Sequence, residues 1–415
     1  MNLTKFGLGA AAAMLISTAT YAAECGPSGQ SVRVLGSDFP AIQAVTGTAE
    51  ANCASAAGEY TTSLRDNTRD IMNQALTPNP AEYSSVVVAN STLAQLMADG
   101  LVRPLDDLVA KYGDNLKPNQ LITIDGQIMA VAFMANSQHL FARSDMLEEA
   151  GVEGIPSTYE DVIAAAEAIR AAGIMEYPIV ANMKSGWNLG EAFNMMYLGH
   201  GGSFFKPGTA EPAINNETGV AALEMMKQVA EYTNPDFLTM ASNETQATWE
   251  AGQAALGIMW GSRGGVILDD EGSTAEVTSN TVLAAAPTVA GGDTPAATLW
   301  WDGFTISTNV SDEDAEATFA ALTSAMTPEM VAANNDDAIW LLDGFQPGPA
   351  AAGVSATAAT GKAQPYPMTP FINLLHNSLG AELVDFIQGN ESAEQALADV
   401  EAAYITAAKE QGYIQ

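Results

Sequence analysis

Residues 248–265, TWEAGQAALGIMWGSRGG, contain the change in pattern that decides the fold. An amphipathic helix end gives way to residues 254–260, a short and wholly apolar run that is typical of a buried strand. Residues 261–265 follow as a glycine-rich turn with one hydroxyl and one cation. This arrangement suits a ligand site at the carboxyl edge of a sheet, and it equally suits a core strand with a flexible exit loop.

Strands and helices alternate on both sides of this stretch. Residues 31–36, 59–64 and 84–89 have the pattern of strands, and helical segments follow each of them. Residues 126–145 form a long extended passage without a turn, which indicates a crossing between two lobes. The repetition of strand and helix predicts an α/β fold with doubly wound sheets.

Three later segments complete this pattern. Residues 298–307 predict an aromatic-rich strand, and residues 392–411 predict a strong amphipathic helix. Residues 157–172 predict a helix that Ser157 caps, with Glu160 completing a capping box. Residues 350–363 are rich in alanine, glycine and threonine, and they are expected to form a loop or a weak helix.

Length and charge limit the possible classes of protein. A chain of 415 residues predicts two to three domains, and 47% hydrophobic residues are enough to build their cores. The formal charge is −34, from 15 basic and 49 acidic residues. Such a surface repels nucleic acid and anionic lipid, so roles on those partners are not expected.

The N-terminus predicts export. Lys5 precedes an apolar run at residues 6–16, and small residues at 17–23 supply a cleavage site after Ala22 or Ala23. The run is shorter than the ~20 residues that cross a membrane. We therefore expect residues 1–23 to be a signal peptide and the mature chain to be a soluble protein of the periplasm.

Cysteine and histidine usage argues against a metal site. Cys25 and Cys53 are the two cysteines, and in an oxidising compartment they are expected to form a structural disulfide, although a metal or nucleophilic thiol is the alternative. The three histidines are isolated in the sequence and lack the spacing of metal ligands. We expect neither a metal nor a cofactor.

Motifs of catalysis are missing as well. The chain has no serine nucleophile elbow, P-loop, dinucleotide-binding glycine motif or zinc motif. Carboxylates are numerous, but nothing singles out two of them as the acid and nucleophile of a glycosidase. The sequence therefore favours a protein that is not an enzyme.

The tryptophans favour a binding cleft. One of the six, Trp249, is assigned to the core, and the other five lie beside turns or strand ends: Trp187, Trp260, Trp300, Trp301 and Trp340. Indole faces stack on the C–H faces of sugar rings, while polar side chains bond the hydroxyls, which cost ~1–3 kcal/mol each when buried unpaired. For any one tryptophan, packing in the core is the alternative.

Motifs along nearly all of the mature chain carry a family resemblance. The order is SSVVVANSTLAQLMADGLVRPLDDL, then DGQIMAVAFMANSQHLFARSDMLEEAGVEGIPSTYEDVIAAA, LGHGG, TWEAGQAALGIMWGSRGG and LWWDGFTIS, with the closing amphipathic helix. In this order they resemble the bacterial extracellular solute-binding proteins of family 1, the maltose-binding-protein type that serves carbohydrate ABC transporters.

The resemblance implies a two-lobe periplasmic binding protein fold of type II. Each lobe would hold a doubly wound sheet flanked by helices, with the ligand in the cleft between them. Lobe one would comprise residues 24–134 and 291–327, and lobe two residues 135–290 and 328–415. The chain would be a monomer that meets the membrane permease subunits of an ABC transporter.

The resemblance also implies ligand-binding residues. Lobe one would offer Asp38, Asn90, Ser91, Thr92, Trp301 and Asp302, with Trp300 on the alternate face, and Asn136 stands at the crossing. Lobe two would offer Trp187, Asn188, Glu191, Trp260, Ser262, Arg263, Trp340 and Gln346. Residues 90–92 and Asp38 could instead cap helices, and Arg263 could pair with surface acids. Alternation allows only one of Trp300 and Trp301 to face the cleft.

The expected function is capture of a neutral sugar or polyol by hinge closure, followed by delivery to the permease. A cationic or phosphorylated solute is the alternative ligand, and Arg263 counts against the cationic one. A secreted glycosidase or lyase is the alternative from another class of protein.

Overall fold

Two separate β-sheets, each with helices on both faces, organise the chain. The structure is a computed structural model that describes residues 24–269 and 271–415. The expected signal peptide, residues 1–23, lies outside the described residues. Within them, no helix is both long enough and apolar enough to span a membrane.

The described strands are β1 Ser31–Gly36, β2 Glu59–Leu64, β3 Ser85–Ala89, β4 Leu121–Ile124, β5 Gln127–Asn136, β6 Gln138–Arg143, β7 Ile179–Ala181, β8 Leu256–Trp260, β9 Thr281–Ala284, β10 Thr298–Ile306, β11 Ile339–Trp340 and β12 Gln364–Pro365. The described helices are α1 Pro40–Cys53, α2 Thr68–Leu76, α3 Asn90–Ala98, α4 Asp106–Tyr112, α5 Ser144–Glu149, α6 Tyr159–Ala171, α7 Trp187–Gly199, α8 Glu217–Ala230, α9 Ser242–Glu250, α10 Gly264–Leu268, α11 Ala275–Asn280, α12 Asp312–Ser324, α13 Pro328–Ala333, α14 Ala352–Ala359, α15 Ile372–Ile387 and α16 Ala393–Glu410.

The first sheet has the strand order β11-β5-β10-β3-β1-β2, with β12 beside β10 and β4 beside β5. Strand β1 is parallel to both β2 and β3, whereas β10 is antiparallel to β3 and β5. All five residues of β3 are buried, as its unbroken apolar run predicts for a strand covered on both faces. Val87 packs into the cluster on one face, and Val86 and Val88 pack into the cluster on the other.

The second sheet has the strand order β7-β8-β6-β9. Strand β8 lies within residues 248–265, the stretch quoted at the start of the sequence analysis. It is parallel to β7 and antiparallel to β6. It begins at Leu256, two residues later than the apolar run predicts. The glycine-rich segment after it is helical, with a 3-10 turn at Gly261–Arg263 that leads into α10.

The chain crosses between the sheets where β5 ends and β6 begins. Only Ser137 separates the last residue of β5, in the first sheet, from the first residue of β6, in the second. Strand β10 then re-enters the first sheet between β3 and β5. Both sheets are mixed, because these crossing and returning strands run antiparallel to their neighbours.

The division into lobes stays a proposal, and one boundary can be refined. Strand β11 pairs with β5, which places Trp340 opposite Met134 in the first sheet. Met330 and Leu342 belong to the same hydrophobic cluster as this sheet. We therefore propose that the chain leaves lobe one after Leu342 instead of after residue 327.

One capping prediction was wrong, and only one of residues 90–92 makes a capping contact. Thr158, not Ser157, caps α6, because its hydroxyl accepts a hydrogen bond from the Asp161 N–H at 3.0 Å. Asn90 does not cap α3 but is its first residue. The capping contact there comes from Thr92, whose Oγ1 accepts from the Ala89 N–H at 3.0 Å.

Helix α15 was not predicted from the sequence. Residues 350–363, expected to form a loop or a weak helix, contain the helix α14. Helix α15 reads INLLHNSLGAELVDFI and has no side-chain cap at its start, so the start signal of a helix is weak. It packs against α7 and α16 and contributes Leu375, Leu379 and Leu383 to the largest hydrophobic cluster of the described residues.

The predicted disulfide is confirmed. Cys25 and Cys53 are joined, with their Cα atoms 5.4 Å apart. The bond ties the segment before β1 to the last residue of α1. Trp249 is fully buried against the second sheet, as expected for a core residue.

Candidate ligand-binding cleft

A cavity of about 680 Å³ lies between the two sheets. Helices α1, α2 and α3 begin at it from the first sheet, and α7 and α9 begin at it from the second. Helices that follow strands in an α/β sheet start at the carboxyl edge, where ligands of such folds bind. The residues around the cavity therefore come from both lobes, with Asn136 of the crossing between them.

Three tryptophans form one wall of the cavity. The ring of Trp187 lies 6.3 Å from that of Trp260 and 5.6 Å from that of Trp300, and Trp260 and Trp300 are 5.8 Å apart. Trp187 begins α7, Trp260 ends β8 and Trp300 lies on β10, so three distant segments meet here. This group is called the tryptophan wall below.

His376 supports the tryptophan wall from behind. Its ring stacks on Trp187 at 4.7 Å, and its Nε2 lies 2.7 Å from the Trp187 carbonyl oxygen. Its Nδ1 lies 2.7 Å from the Tyr366 hydroxyl and 3.1 Å from the Asn194 amide nitrogen. Nε2–H therefore donates and Nδ1 accepts, which is the neutral ring. Burial lowers the pKa of His376 to about 4, in agreement with that form.

Glu191 also lies behind the tryptophan wall, fully buried. Its carboxyl group accepts hydrogen bonds from the Thr298 hydroxyl and, at 3.2 Å, from Nε1 of Trp300. Burial raises the pKa of Glu191 to about 7, although these hydrogen bonds act in the opposite direction. Glu191 therefore positions Trp300 and does not line the cavity.

Strand β10 brings Trp300 and Asp302 to the cavity on the same face. Trp301 points to the other face, where it packs on the hydrophobic cluster of β3 and α3. In a β-strand, side chains two residues apart lie on the same face. Trp300 therefore lines the cavity together with Asp302, and Trp301 does not. Burial raises the pKa of Asp302 to about 6, against the opposing charge of Arg69.

Arg69 lines the cavity and was not singled out from the sequence. It lies on α2 of the first lobe, and its Cζ is 4.0 Å from the ring centroid of Trp187 in the second lobe. Its pKa is lowered because protein surrounds the guanidinium, and nearby Asp302 counteracts this effect. A single arginine in the first turn of a polar helix gives no sequence signal that separates it from a solvated surface residue.

Asn136 and Ser262 connect the crossing to the end of β8. The Asn136 amide nitrogen lies 3.2 Å from Ser262 Oγ, and the Ser262 N–H donates to Asn136 Oδ1 at 3.2 Å. Arg263, in the same turn, donates from Nη1 to Gln246 Oε1 at 3.0 Å and forms no ion pair with a described carboxylate. The alternative of a surface ion pair for Arg263 is therefore not realised.

The structure brings eleven of the sixteen sequence-predicted site residues to the cavity: Asp38, Ser91, Thr92, Asn136, Trp187, Asn188, Trp260, Ser262, Arg263, Trp300 and Asp302. Asp38 does not cap α1, because Phe39 holds the N-cap position. Residues that the sequence did not single out line it too, among them Arg69, Gln95, Lys184, Glu244, Asn373 and Asn377.

The other five predicted residues lie elsewhere. Glu191 and Trp301 have been placed above, and Asn90 joins α3 to β10 by accepting from the Trp301 N–H at 2.9 Å. Trp340 is buried in the first sheet and donates to the Asn334 carbonyl at 2.8 Å. Gln346 lies in the loop after β11, where its backbone contacts Asn335.

Within the described residues no three histidine, cysteine, aspartate or glutamate side chains gather as metal ligands would.

One family model matches this chain, over residues 81–329, and its description is bacterial extracellular solute-binding protein. No curated protein matches the chain in sequence.

Solved structures match over nearly the whole chain. The maltose-bound MalE3 of T. maritima has a TM-score of 0.78 at 16% identity, covering 91% of this chain and 99% of that one. A solute-binding protein of an ABC transporter from Agrobacterium radiobacter K84, in complex with ribitol, has a TM-score of 0.79 at 19% identity. The match covers 93% of this chain and 100% of that one. A solute-binding protein of an ABC transporter from Agrobacterium vitis S4, with bound D-mannitol, has a TM-score of 0.72 at 18% identity. This match also covers 93% of this chain and 100% of that one. At these identities the likeness concerns the fold, and it confirms the predicted two-lobe binding-protein architecture.

Proposed function

Because the chain belongs to the bacterial extracellular solute-binding proteins, a family of binding proteins and not of enzymes, we propose that it captures a sugar or polyol in the cleft between its lobes. It delivers this ligand from the periplasm to the membrane permease of an ABC importer. Similar structures that contain maltose, ribitol and D-mannitol support this class of ligand.

The observation that carries the proposal is the composition of the cavity. Trp187, Trp260 and Trp300 offer apolar surface, and side chains from both lobes offer hydrogen-bond donors and acceptors around it. A polyhydroxylated ligand needs both, since its C–H faces are apolar and each buried hydroxyl requires a partner. The 680 Å³ volume is in the range of small-molecule sites.

Ligand capture is expected to proceed by closure of the two lobes. The short connection at Ser137 and the Asn136–Ser262 contact lie where the lobes join. Contacts that the ligand makes with both walls exist only when the cleft is closed, and this difference in contacts stabilises the closed state.

Isothermal titration calorimetry against mono-, di- and oligosaccharides and polyols tests the proposal. We expect at least one of them to bind, and Trp260→Ala to weaken its binding by about 10-fold or more, because a stacking surface and the support of two neighbouring indoles are lost. Trp301→Ala, outside the cavity, is the matched control and should keep the affinity.

Circular dichroism spectra of both variants establish that each is folded. A purified wild-type protein that binds amines or amino acids, and none of the carbohydrates or polyols, would contradict the proposal.

A further inference from the structure

The cavity is lined by cations that form no ion pair with a described residue. Of the 15 lysines and arginines, three line the cavity: Arg69, Lys184 and Arg263. None of these three forms an ion pair within 4.0 Å among the described residues. Seven other cations do: Arg33, Arg103, Lys111, Lys117, Arg143, Lys206 and Lys362. In a chain with a formal charge of −34, unpaired cations in one cleft require a reason.

The acids at the cavity have a local explanation. Asp38 and Asp66 each lie two residues before the start of a helix, α1 and α2 respectively, and Asp70 lies in the first turn of α2. Glu244 lies in the first turn of α9 and accepts from the Ala241 N–H at 3.0 Å. Carboxylates at these positions stabilise the positive ends of helices.

Asp302 is the exception among these acids because it lies on β10 and not at a helix start, and its carboxylate has no hydrogen-bond or ion-pair partner among the described residues. Burial raises the pKa of Asp302 to about 6, so its carboxylate takes up a proton near neutral pH more readily than an exposed aspartate does. A protonated Asp302 would donate a hydrogen bond to a ligand oxygen.

Arg69 is held in place without using its donors. Its guanidinium lies over the Trp187 ring at 4.0 Å, and Trp187 is itself stacked on His376. The Arg69 guanidinium makes no hydrogen bond to any described residue, so its N–H groups are available to the cavity. A guanidinium fixed by stacking, with free donors in its plane, matches a carboxylate or phosphate better than a single hydroxyl.

The start of α3 adds a second set of unused groups. Ser91, in the first turn of this nine-residue helix, is 2% exposed, and its Oγ has no partner in the described chain. Its helix begins directly after Ala89, which is the register partner of Asp302 on β10. Backbone N–H groups at a helix start and an unpaired hydroxyl complement an anionic oxygen.

We propose that the ligand is an acidic sugar or polyol, whose carboxylate or phosphate group binds to Arg69 and the start of α3. This inference rests on the proposed function, and it replaces the neutral ligand expected from the sequence. The long-range field of the acidic surface opposes such a ligand, but it is screened beyond ~10 Å at 0.1 M salt, whereas Arg69 acts at contact.

Matched pairs of ligands test the proposal by calorimetry on the purified wild-type protein. D-gluconate and D-sorbitol 6-phosphate are each compared with D-sorbitol, and D-galacturonate is compared with D-galactose. We expect one acid to bind about 10- to 100-fold more tightly than its neutral partner, as for a charge-assisted contact in place of a neutral one. The pair that shows the difference identifies carboxylate or phosphate as the acidic group.

Variants of Arg69 test its part in this preference. Arg69→Gln should remove the preference for the acid, and Arg69→Lys should retain part of it because the charge remains without the planar fork. Arg65→Gln is the matched control, since it makes the same change in charge just before α2 but outside the cavity, and it should leave the preference intact.

Three results would be decisive against the proposal. Neutral ligands that bind as tightly as their acids would overturn it and leave the proposed function standing. If no sugar, polyol or acid binds, the proposed function fails as well. Equal losses from Arg69→Gln and Arg65→Gln would show that net charge, and not Arg69, determines the preference.

Discussion

Glu191 is a carboxylic acid buried behind the tryptophan wall, so its protonation is coupled to folding. Burial raises its pKa from 4.5 to about 7, while hydrogen bonds from Thr298, Asn194 and Trp300 and the charge of Arg69 lower it. The folded protein therefore holds this proton more tightly than the unfolded chain. Its contribution to stability is greatest below about pH 4.5 and declines as the pH rises to about 7.

We expect Glu191→Gln to remove this pH dependence. The free energy of unfolding of the wild type should fall relative to that of the variant between about pH 4.5 and 7, by an amount on the order of 3 kcal/mol. Urea denaturation of both proteins at half-unit pH steps measures the difference. A difference that stays constant over this interval would contradict the assignment of a raised pKa to Glu191.

Some residues of the cavity could be predicted from the sequence, and others could not. The tryptophans could be singled out because a large aromatic ring beside a turn is unusual, and three of them do meet at the cavity. Arg69 could not, because its role depends on Trp187, more than 100 positions away in the chain, lying beneath its guanidinium. Glu191 was predicted to bind the ligand, but it is buried behind the tryptophan wall and does not line the cavity.

At the scale of elements, helices α7 and α15 approach each other closely at a glycine. A Cβ added to Gly190 would lie 2.6 Å from the His376 side chain and 2.7 Å from its carbonyl oxygen. Because a carbonyl of the opposite helix cannot move aside independently, the two helices would have to separate. That separation would also displace Trp187, which begins α7.

Gly190→Ala should therefore lower the free energy of unfolding by about 1–3 kcal/mol and weaken ligand binding. Gly47→Ala in α1 is the control, because an added Cβ there meets nothing within 4 Å. That variant should be more stable than the wild type by about 0.5–1 kcal/mol, as alanine restricts the unfolded chain. Equal stability of Gly190→Ala and the wild type would mean that the helices tolerate a larger spacing.

Strands and helices whose apolar residues recur at a regular spacing could be predicted from the sequence. Those that depend on contacts with other elements of the fold could not. Strands β1, β2 and β10 and helix α16 lie within one or two residues of their predicted bounds, because alternation or an apolar stripe marks them. Helix α15 has no side-chain cap to mark its start, and its contacts with α7 and α16, distant in the sequence or later in the chain, define it. The two-residue strand β11 has no sequence signature at all, and only its pairing with β5 defines it.

At the scale of the whole molecule, charge is the dominant feature. A formal charge of −34 makes the folded state repel itself, since unfolding moves the carboxylates apart. This repulsion extends over ~30 Å at 0.01 M salt and over ~10 Å at 0.1 M. Stability should therefore depend strongly on ionic strength.

We expect the melting temperature to rise by several degrees between 0.01 and 0.1 M NaCl, and by a similar amount in sodium perchlorate. At these concentrations screening depends on ionic strength and little on the kind of anion. Differential scanning calorimetry in the two salts measures the effect. A melting temperature that falls with added salt would mean that attractive ion pairs outweigh the repulsion.

The late position of β10 in the chain affects how the protein can be made. This strand separates β3 from β5 in the first sheet, yet it ends only at Ile306 of 415 residues. Because the ribosome makes the N-terminus first, the first sheet cannot be completed until about three quarters of the chain have been synthesised. Contacts between residues so far apart form slowly. If the chain is exported as we propose, it is expected to remain unfolded long enough to pass through a translocation pore and to fold only after most of it has crossed.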